Sequence, residues 1–372
     1  MKKVVKFGGS SLASAEQFKK VGNIIRKEES RRYVIPSAPG KRTPDDTKVT
    51  DMLYSCYGQA ILGEDAEKDF EEQLEAIKER YNSIIRGLDL ELSLDEEFKT
   101  ICTNFSKKIG RDYAASRGEY LNGIIMAAYL GYEFIDAAEV IVFDENGNFD
   151  GDKTHEILSA RLENTERAVI PGFYGAKPDG SIQTFSRGGS DITGSIVAKA
   201  VHADMYENWT DVSGFLIADP RIIKNPKPID VITYRELREL SYMGATVLHE
   251  DAIFPVRKEG IPINIRNTNA PEDKGTLIVE DTCRKPRFTI TGIAGKKDFA
   301  SITIEKAMMN SEVGFCRKVL EVFENNNISI EHMPSGIDTM TIFVHQPEFE
   351  GKVSAHELRN AAARLVESTG IS

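Results

Sequence analysis

The sequence is poor in cysteine, and the few it has follow no pattern. Cys56, Cys102, Cys283 and Cys316 are scattered without a CxxC pair. That argues against a disulfide framework and for reduced thiols in a cytosolic protein. Six histidines occur at no metal-ligand spacing. No apolar run approaches the roughly 18 residues that a membrane span requires. The lysines after Met1 are not followed by the long apolar stretch of a secretion signal. Positive charge is in deficit: 47 Lys and Arg against 58 Asp and Glu leave a net charge of -11. Nucleic acid and anionic membranes are therefore poor partners. Two phosphate-binding signatures are also missing. Without GxxxxGK[ST] the chain has no P-loop, and without GxGxxG a Rossmann dinucleotide site is disfavoured.

What is present is apolar mass and alternation. With 372 residues, 41% of them hydrophobic, two domains are expected. VVKF and YVIPSA read as strands. Between them SAEQFKKVGNIIRKEE reads as a helix with Phe18, Val21, Ile24 and Ile25 on one face. The strongly charged stretch 64–110 reads as a largely helical, solvated insert. SRGEYLNGIIMAAYLGY follows as a helix opened by Glu119, then strands at EFIDA, VIVF and RAVIPGFYG. GGSDITGSIVAKAV is a loop entering a helix, and ADMYENWTDVSGFLIADPRI is strand, turn and strand. This alternation predicts a three-layer α/β domain with a mostly parallel sheet. Composition shifts near EDTCRKPRF. Beyond it, FASITIE, ISIEHM and DTMTIFVH read as strands. GFCRKVLEVFENNN and SAHELRNAAARLVEST read as helices, the first with Phe315, Val319 and Phe323 on one face and the second with Leu358, Ala361, Ala362 and Leu365. The order βαββα is a ferredoxin-like unit short of its last strand; either FTITGIAG before it fills the edge or, the favoured expectation, the unit is truncated.

Three glycine-punctuated turns could hold anions. Lys6 ends an apolar strand against Gly8-Gly9-Ser10-Ser11. Converging backbone N–H groups and a lysine suit phosphate oxygens, although a snorkelling lysine beside an ordinary turn gives the same string. In SRGGSDITG, Arg187 can fork onto a carboxylate, with Ser190 and Asp191 at the helix start. The bland alternative is a capped helix with a solvated arginine. In WTDVSGFLIADPRI, Thr210 and Asp211 end a strand, and Asp219-Pro220-Arg221 fits a type I turn whatever else it does. Trp209 suits the core. Thr50 and Asp51 follow the PGKRTPDD loop. Glu119 at a helix start is favoured by the dipole, or stands ready for a substrate ammonium.

KFGGSS, SRGE, RGGSD, WTDVSG…ADPR, SYMGATVLH and NIRNTNAPEDKGT occur in one order. That ordered set resembles the aspartate kinase family, which has the amino-acid kinase fold. The C-terminal unit resembles the ACT domain attached to it. The resemblance implies a catalytic domain over 1–283 and an ACT regulatory domain over 284–372, with a second ACT unit missing. It implies transfer of the γ-phosphoryl group of ATP, with Mg2+, to the side-chain carboxylate of L-aspartate. Lys6, Arg187 and Asp191 would be catalytic. Lys6, Gly8, Gly9, Ser10, Thr210, Asp211 and Arg221 would hold ATP. Thr50, Glu119, Arg187 and Ser190 would hold aspartate. Met309, Gly314, Phe315, Ser329, Ile330 and Glu331 would line an effector site, with Glu331 favouring lysine over threonine. No residue is assigned as a direct metal ligand. A cytoplasmic homodimer is expected, with no nucleic-acid or membrane partner. The sequence departs from the family at Leu216, where an aromatic is frequent, and at Thr246, where a lysine is. Those departures leave open a catalytically silent amino-acid sensor. Acetylglutamate and uridylate kinases are the alternatives within the fold.

Overall fold

The computed structural model describes the chain except Arg187 and residues 244–247, 249–251, 253, 283–288, 351, 353, 355, 358–359 and 361–372, and the side chains of residues 64 and 65. The chain forms two compact units, Met1–Ala294 and Gly295–Ser372. The boundary expected at 283/284, with Cys283, lies outside the described residues.

The first unit is built on strands β1 (Lys3–Phe7), β2 (Arg31–Pro36), β3 (Glu133–Phe134), β4 (Ala168–Val169), β5 (Tyr174–Ala176), β6 (Ile182–Thr184), β7 (Met205–Thr210), β8 (Val231–Thr233), β9 (Ile263–Asn267) and β10 (Thr276–Val279). Eight of them form one sheet in the order β3-β4-β2-β1-β7-β9-β10-β8, while β5 and β6 make a separate hairpin. Pairing in the large sheet is parallel except between β9 and β10. Central parallel strands are covered on both faces and read as nearly unbroken apolar runs. In β1, Val5 and Phe7 enter one core with Phe18, Leu121 and Trp209. Val4 enters the other, with Ile196, Val197 and Ile263. The pleat therefore turns Lys6 toward the Val4 face, where the helix Gly189–Ala200 lies. At the opposite end of the strands, the fully buried Glu207 ties three of them together. Arg31 Nε is 2.8 Å away, Lys3 Nζ 2.9 Å, and Trp209 Nε1 donates at 2.9 Å. Burial works to raise the Glu207 carboxyl, but the two cations outweigh it and hold it below its ordinary range.

The insert is not merely solvated. Its helices Glu67–Gly87 and Asp95–Ser106 bury Ile77, Tyr81, Ile84, Phe98, Ile101 and Phe105 in the Phe7 core. Its charges occupy the outer faces, as in any amphipathic helix. Nor does Glu119 open a helix: that helix runs Arg111–Leu130, so Glu119 sits in its interior, away from the N-terminal dipole. VIVF forms no strand. Asp136 accepts from the Ala138 N–H and starts the short helix Ala137–Val140, leaving Val142 and Phe143 with isolated bridges. The second strand expected after Asp211 is also absent; Leu216 makes one bridge to Pro228.

In the second unit β11 (Phe299–Glu305) and β12 (Thr339–His345) pair antiparallel. The helix Phe315–Asn325 buries Phe315, Val319 and Phe323 against Ile302, Ile304, Ile342 and Val344. ISIEHM is not a strand. Glu331 N–H donates to Phe343 O at 2.9 Å and His332 bridges Phe343, but Pro334 then has no N–H to continue a ladder. The apolar face expected at Leu358, Ala361, Ala362 and Leu365 lies outside the described residues.

Candidate active site

The carboxyl ends of β1, β2, β4, β7 and β9 point the same way, which is where open α/β sheets hold ligands. Lys6 is in register with Asn208 across β1 and β7. Its ammonium lies 2.7 Å from Asp191 Oδ1 and 3.4 Å from Asn208 Oδ1. Asn208 Nδ2 donates to the same Asp191 oxygen at 2.8 Å. Asp191 stands in the first turn of Gly189–Ala200, after Gly188 in the left-handed region at φ 59°. Lysine, aspartate and asparagine thus form a closed polar triangle in a mostly apolar layer. Sequence reasoning missed Asn208. Its one signal is a polar side chain inside an otherwise buried strand, opposite Lys6.

The turn after β1 needs a glycine at position 9, and Gly8 leaves open space at the Lys6 ammonium. A Cβ on Gly8 would stand 3.5 Å from Lys6 Nζ, filling the space above the ammonium. A Cβ on Gly9 would stand 2.9 Å from Ala38 O, closer than real contacts allow. Gly40 N–H donates to Gly9 O at 2.8 Å, so the loops after β1 and β2 lie backbone against backbone. Ser10 follows Gly9 in a short 3-10 turn, Gly9–Leu12. Ser11, rather than Ser10, pairs its hydroxyl with Thr268, at 2.8 Å.

A second group converges on the loop after β2. A Cβ on Gly118 would meet Ala38 Cβ at 2.8 Å and Thr50 Oγ1 at 3.8 Å. Asn122 Nδ2 donates to Ser37 O at 2.7 Å. Between them, Glu119 is buried, and its Oε2 has no hydrogen-bond partner among the described residues. Burial pushes the Glu119 carboxyl up to about 8, against the Ala38 N–H and the Arg117 guanidinium, which pull it down. A buried carboxyl with one oxygen unpartnered among the described residues is suited to pairing with a cation. Ser190 packs on the loop after β4, where a Cβ on Gly172 would lie 2.6 Å from its hydroxyl.

Other expected residues lie apart or beyond description. Thr210 ends β7 and Asp211 follows it, and the Thr210 hydroxyl donates to Asp211 Oδ1 at 3.3 Å. Arg221 is exposed and paired with Asp219 at 2.6 Å, not turned into the Lys6 cluster. Arg187 and Thr246 lie outside the described residues. In the second unit Met309 and Phe315 belong to the core, Gly314 caps the helix at φ 82°, Ser329 is exposed and Ile330 half-buried. Glu331 lies 3.7 Å from Lys296.

A cation over a glycine turn and a carboxylate at a helix start, at the carboxyl ends of a mostly parallel sheet, are suited to binding phosphate without a P-loop. Residues 1–267 match the model of the amino acid kinase family, and the chain belongs to that family. It is 40% identical over 381 residues to aspartokinase 3 of Bacillus subtilis, covering 98% of this chain and 82% of that one. The crystal structure of aspartate kinase from Clostridium acetobutylicum superposes with a TM-score of 0.86 at 51% identity, over 98% of this chain and 82% of that one. The lysine-sensitive aspartokinase 3 of Escherichia coli is 26% identical over 88% of this chain and 75% of its own length. Within the amino acid kinases, the chain therefore falls among the aspartokinases.

Proposed function

We propose that the chain transfers the γ-phosphoryl group of ATP to the side-chain carboxylate of L-aspartate, giving 4-phospho-L-aspartate. The observation that carries this reading is the Lys6–Asp191 pair beside the Gly8–Gly9 turn, with the buried Glu119, whose Oε2 has no partner among the described residues, on the helix packed against the loop after β2. The nucleophile is already a carboxylate at neutral pH and needs no general base. The difficulty is electrostatic: two anions must approach while charge builds on the transferring group. Lys6 stabilises that group. Gly8, Gly9 and Ser10 cradle the phosphates with backbone amides, and Thr210, Asp211 and Arg221 serve the nucleotide. Glu119 receives the substrate ammonium, with Thr50 and Ser190 beside it, and Arg187 takes a carboxylate.

Magnesium fits this donor set as a partly hydrated ion. No group of three His, Cys, Asp or Glu side chains is gathered for a metal among the described residues. Magnesium in phosphoryl-transfer sites commonly takes one or two carboxylates plus phosphate oxygens and water. Asp191 would hold its hydration shell, and the bound ion would neutralise phosphate charge. Residues 284–372 would act as an ACT unit through which lysine inhibits the enzyme, with Glu331 toward the effector ammonium. We assign the protein to the cytoplasm as a homodimer; no described helix is long and apolar enough to cross a membrane. Offering aspartate, glutamate and homoserine separately with ATP tests the activity. Acyl phosphate from aspartate alone is expected, and none from any of the three would refute the reading.

A further inference from the structure

We propose that the insert helix Glu67–Gly87 positions both halves of the phosphoryl-transfer site, Arg80 fixing the nucleotide half and Tyr81 the amino-acid half. The naming of the halves rests on the kinase reading above; the contacts do not.

Arg80 is buried. Its Nη2 donates to Gly40 O at 2.6 Å, and its Nη1 donates to Asp46 Oδ2 at 2.6 Å. Gly40 is the residue whose N–H donates to Gly9 O, and a Cβ on it would lie 2.6 Å from the Gly9 carbonyl carbon. Arg80 therefore holds the back of the phosphate turn through one intervening residue. Asp46 is held in turn by Arg42, whose N–H and Nε both donate at 2.9 Å. The two guanidinium groups close the loop between Gly40 and Asp46. Arg80 Nε has no partner among the described residues. A guanidinium this buried is tolerated where its remaining bonds are strong and well aimed.

Tyr81 leaves the same helix about 100° further round. Its fully buried hydroxyl donates to Gly118 O at 2.7 Å. Gly118 packs on Ala38 and immediately precedes Glu119. Two consecutive residues thus reach the loop after β2, which backs the phosphate turn, and the helix that carries Glu119. Ile77, Ile84 and Ile85 seat the helix in the core and keep it from sliding. A misplacement of about 1 Å in such a site can cost up to about a hundredfold in rate.

The test uses the full chain with Arg80→Met, Arg80→Lys, Tyr81→Phe and Asp46→Asn, reading the KM for each substrate, ADP affinity by calorimetry and the thermal midpoint. Arg80→Met should raise the ATP KM and the ADP Kd by about tenfold or more and leave the aspartate KM within about twofold. Arg80→Lys should recover part of that loss. Tyr81→Phe should raise the aspartate KM while sparing ATP. If Arg80→Met does not fold, Asp46→Asn carries the same expectation. Equal changes in both KM values, or a lowered midpoint with both KM values unmoved, overturn the proposal. A wild-type chain that binds ADP but does not phosphorylate aspartate refutes the kinase reading, and the Arg80→Met titration still decides the nucleotide half. A wild-type chain that does not bind ADP overturns both.

Discussion

Replacing Glu119 with glutamine separates the charge of this buried carboxyl from its shape. Its pKa rises to about 8 from the ordinary 4.5 because burial penalises the ionised form. Without substrate, the group is therefore mostly protonated at pH 7. An ammonium pairs with the carboxylate, so binding must expel the proton. The apparent aspartate affinity then falls by a factor of one plus ten to the power of the difference between 8 and the pH. That factor is about tenfold at pH 7 and about a hundredfold at pH 6. Stability moves the opposite way. Between pH 4.5 and about 8 the folded protein keeps a proton that the unfolded chain has released. The contribution is complete below the lower value and lost as pH rises through the upper one, at up to about 1.4 kcal/mol per unit. Glu119→Gln should remove both slopes. It should also raise the aspartate KM by roughly a hundredfold at pH 8, from the loss of about 3 kcal/mol of charged hydrogen bonding. ADP release at varied aspartate from pH 6 to 9 measures the first slope, and thermal melts of the ligand-free proteins measure the second. An aspartate KM that stays flat from pH 6 to 8 in the wild type, or the same slope in Glu119→Gln, would refute the reasoning.

Lys6→Met should lower kcat by about a hundredfold to a thousandfold with the fold intact, since it removes one preorganised cation; steady-state kinetics beside circular dichroism check this. Gly9→Ala drives a methyl group against Ala38 O and the Gly40 backbone, so it should cost about 1–3 kcal/mol in denaturant unfolding and weaken ATP binding. Glu207→Gln leaves Arg31 and Lys3 facing a neutral partner and should destabilise the first unit by about 3–5 kcal/mol; its benefit over the variant should shrink in acid, as Glu207 protonates. Lysine at millimolar concentration should inhibit aspartate phosphorylation, and Glu331→Gln should blunt it; the same residual activity with and without lysine would remove the effector reading.

The apolar strand β1, the helix Ala15–Arg26 and the glycine turns were legible because their signals are local. Alternation, capping and a missing Cβ act over a few residues, and the run from Lys6 to Ser11 shows all its constraints in order. The polar residues of the site were legible as types at fixed spacings. Their partners were not, because the contacts Asn208–Lys6, Arg80–Gly40 and Tyr81–Gly118 each span more than 30 residues of chain, and no short-range rule links them. Local rules also misplaced Glu119. SRGE looks like a helix start, but Arg111 begins the helix, and the core formed with the insert carries it through the glycine. Chain order was enough to propose roles for these groups. Tertiary packing decided which carboxyl is deprived of water and which loops touch, because desolvation and steric contact depend on what folds over a residue from far away.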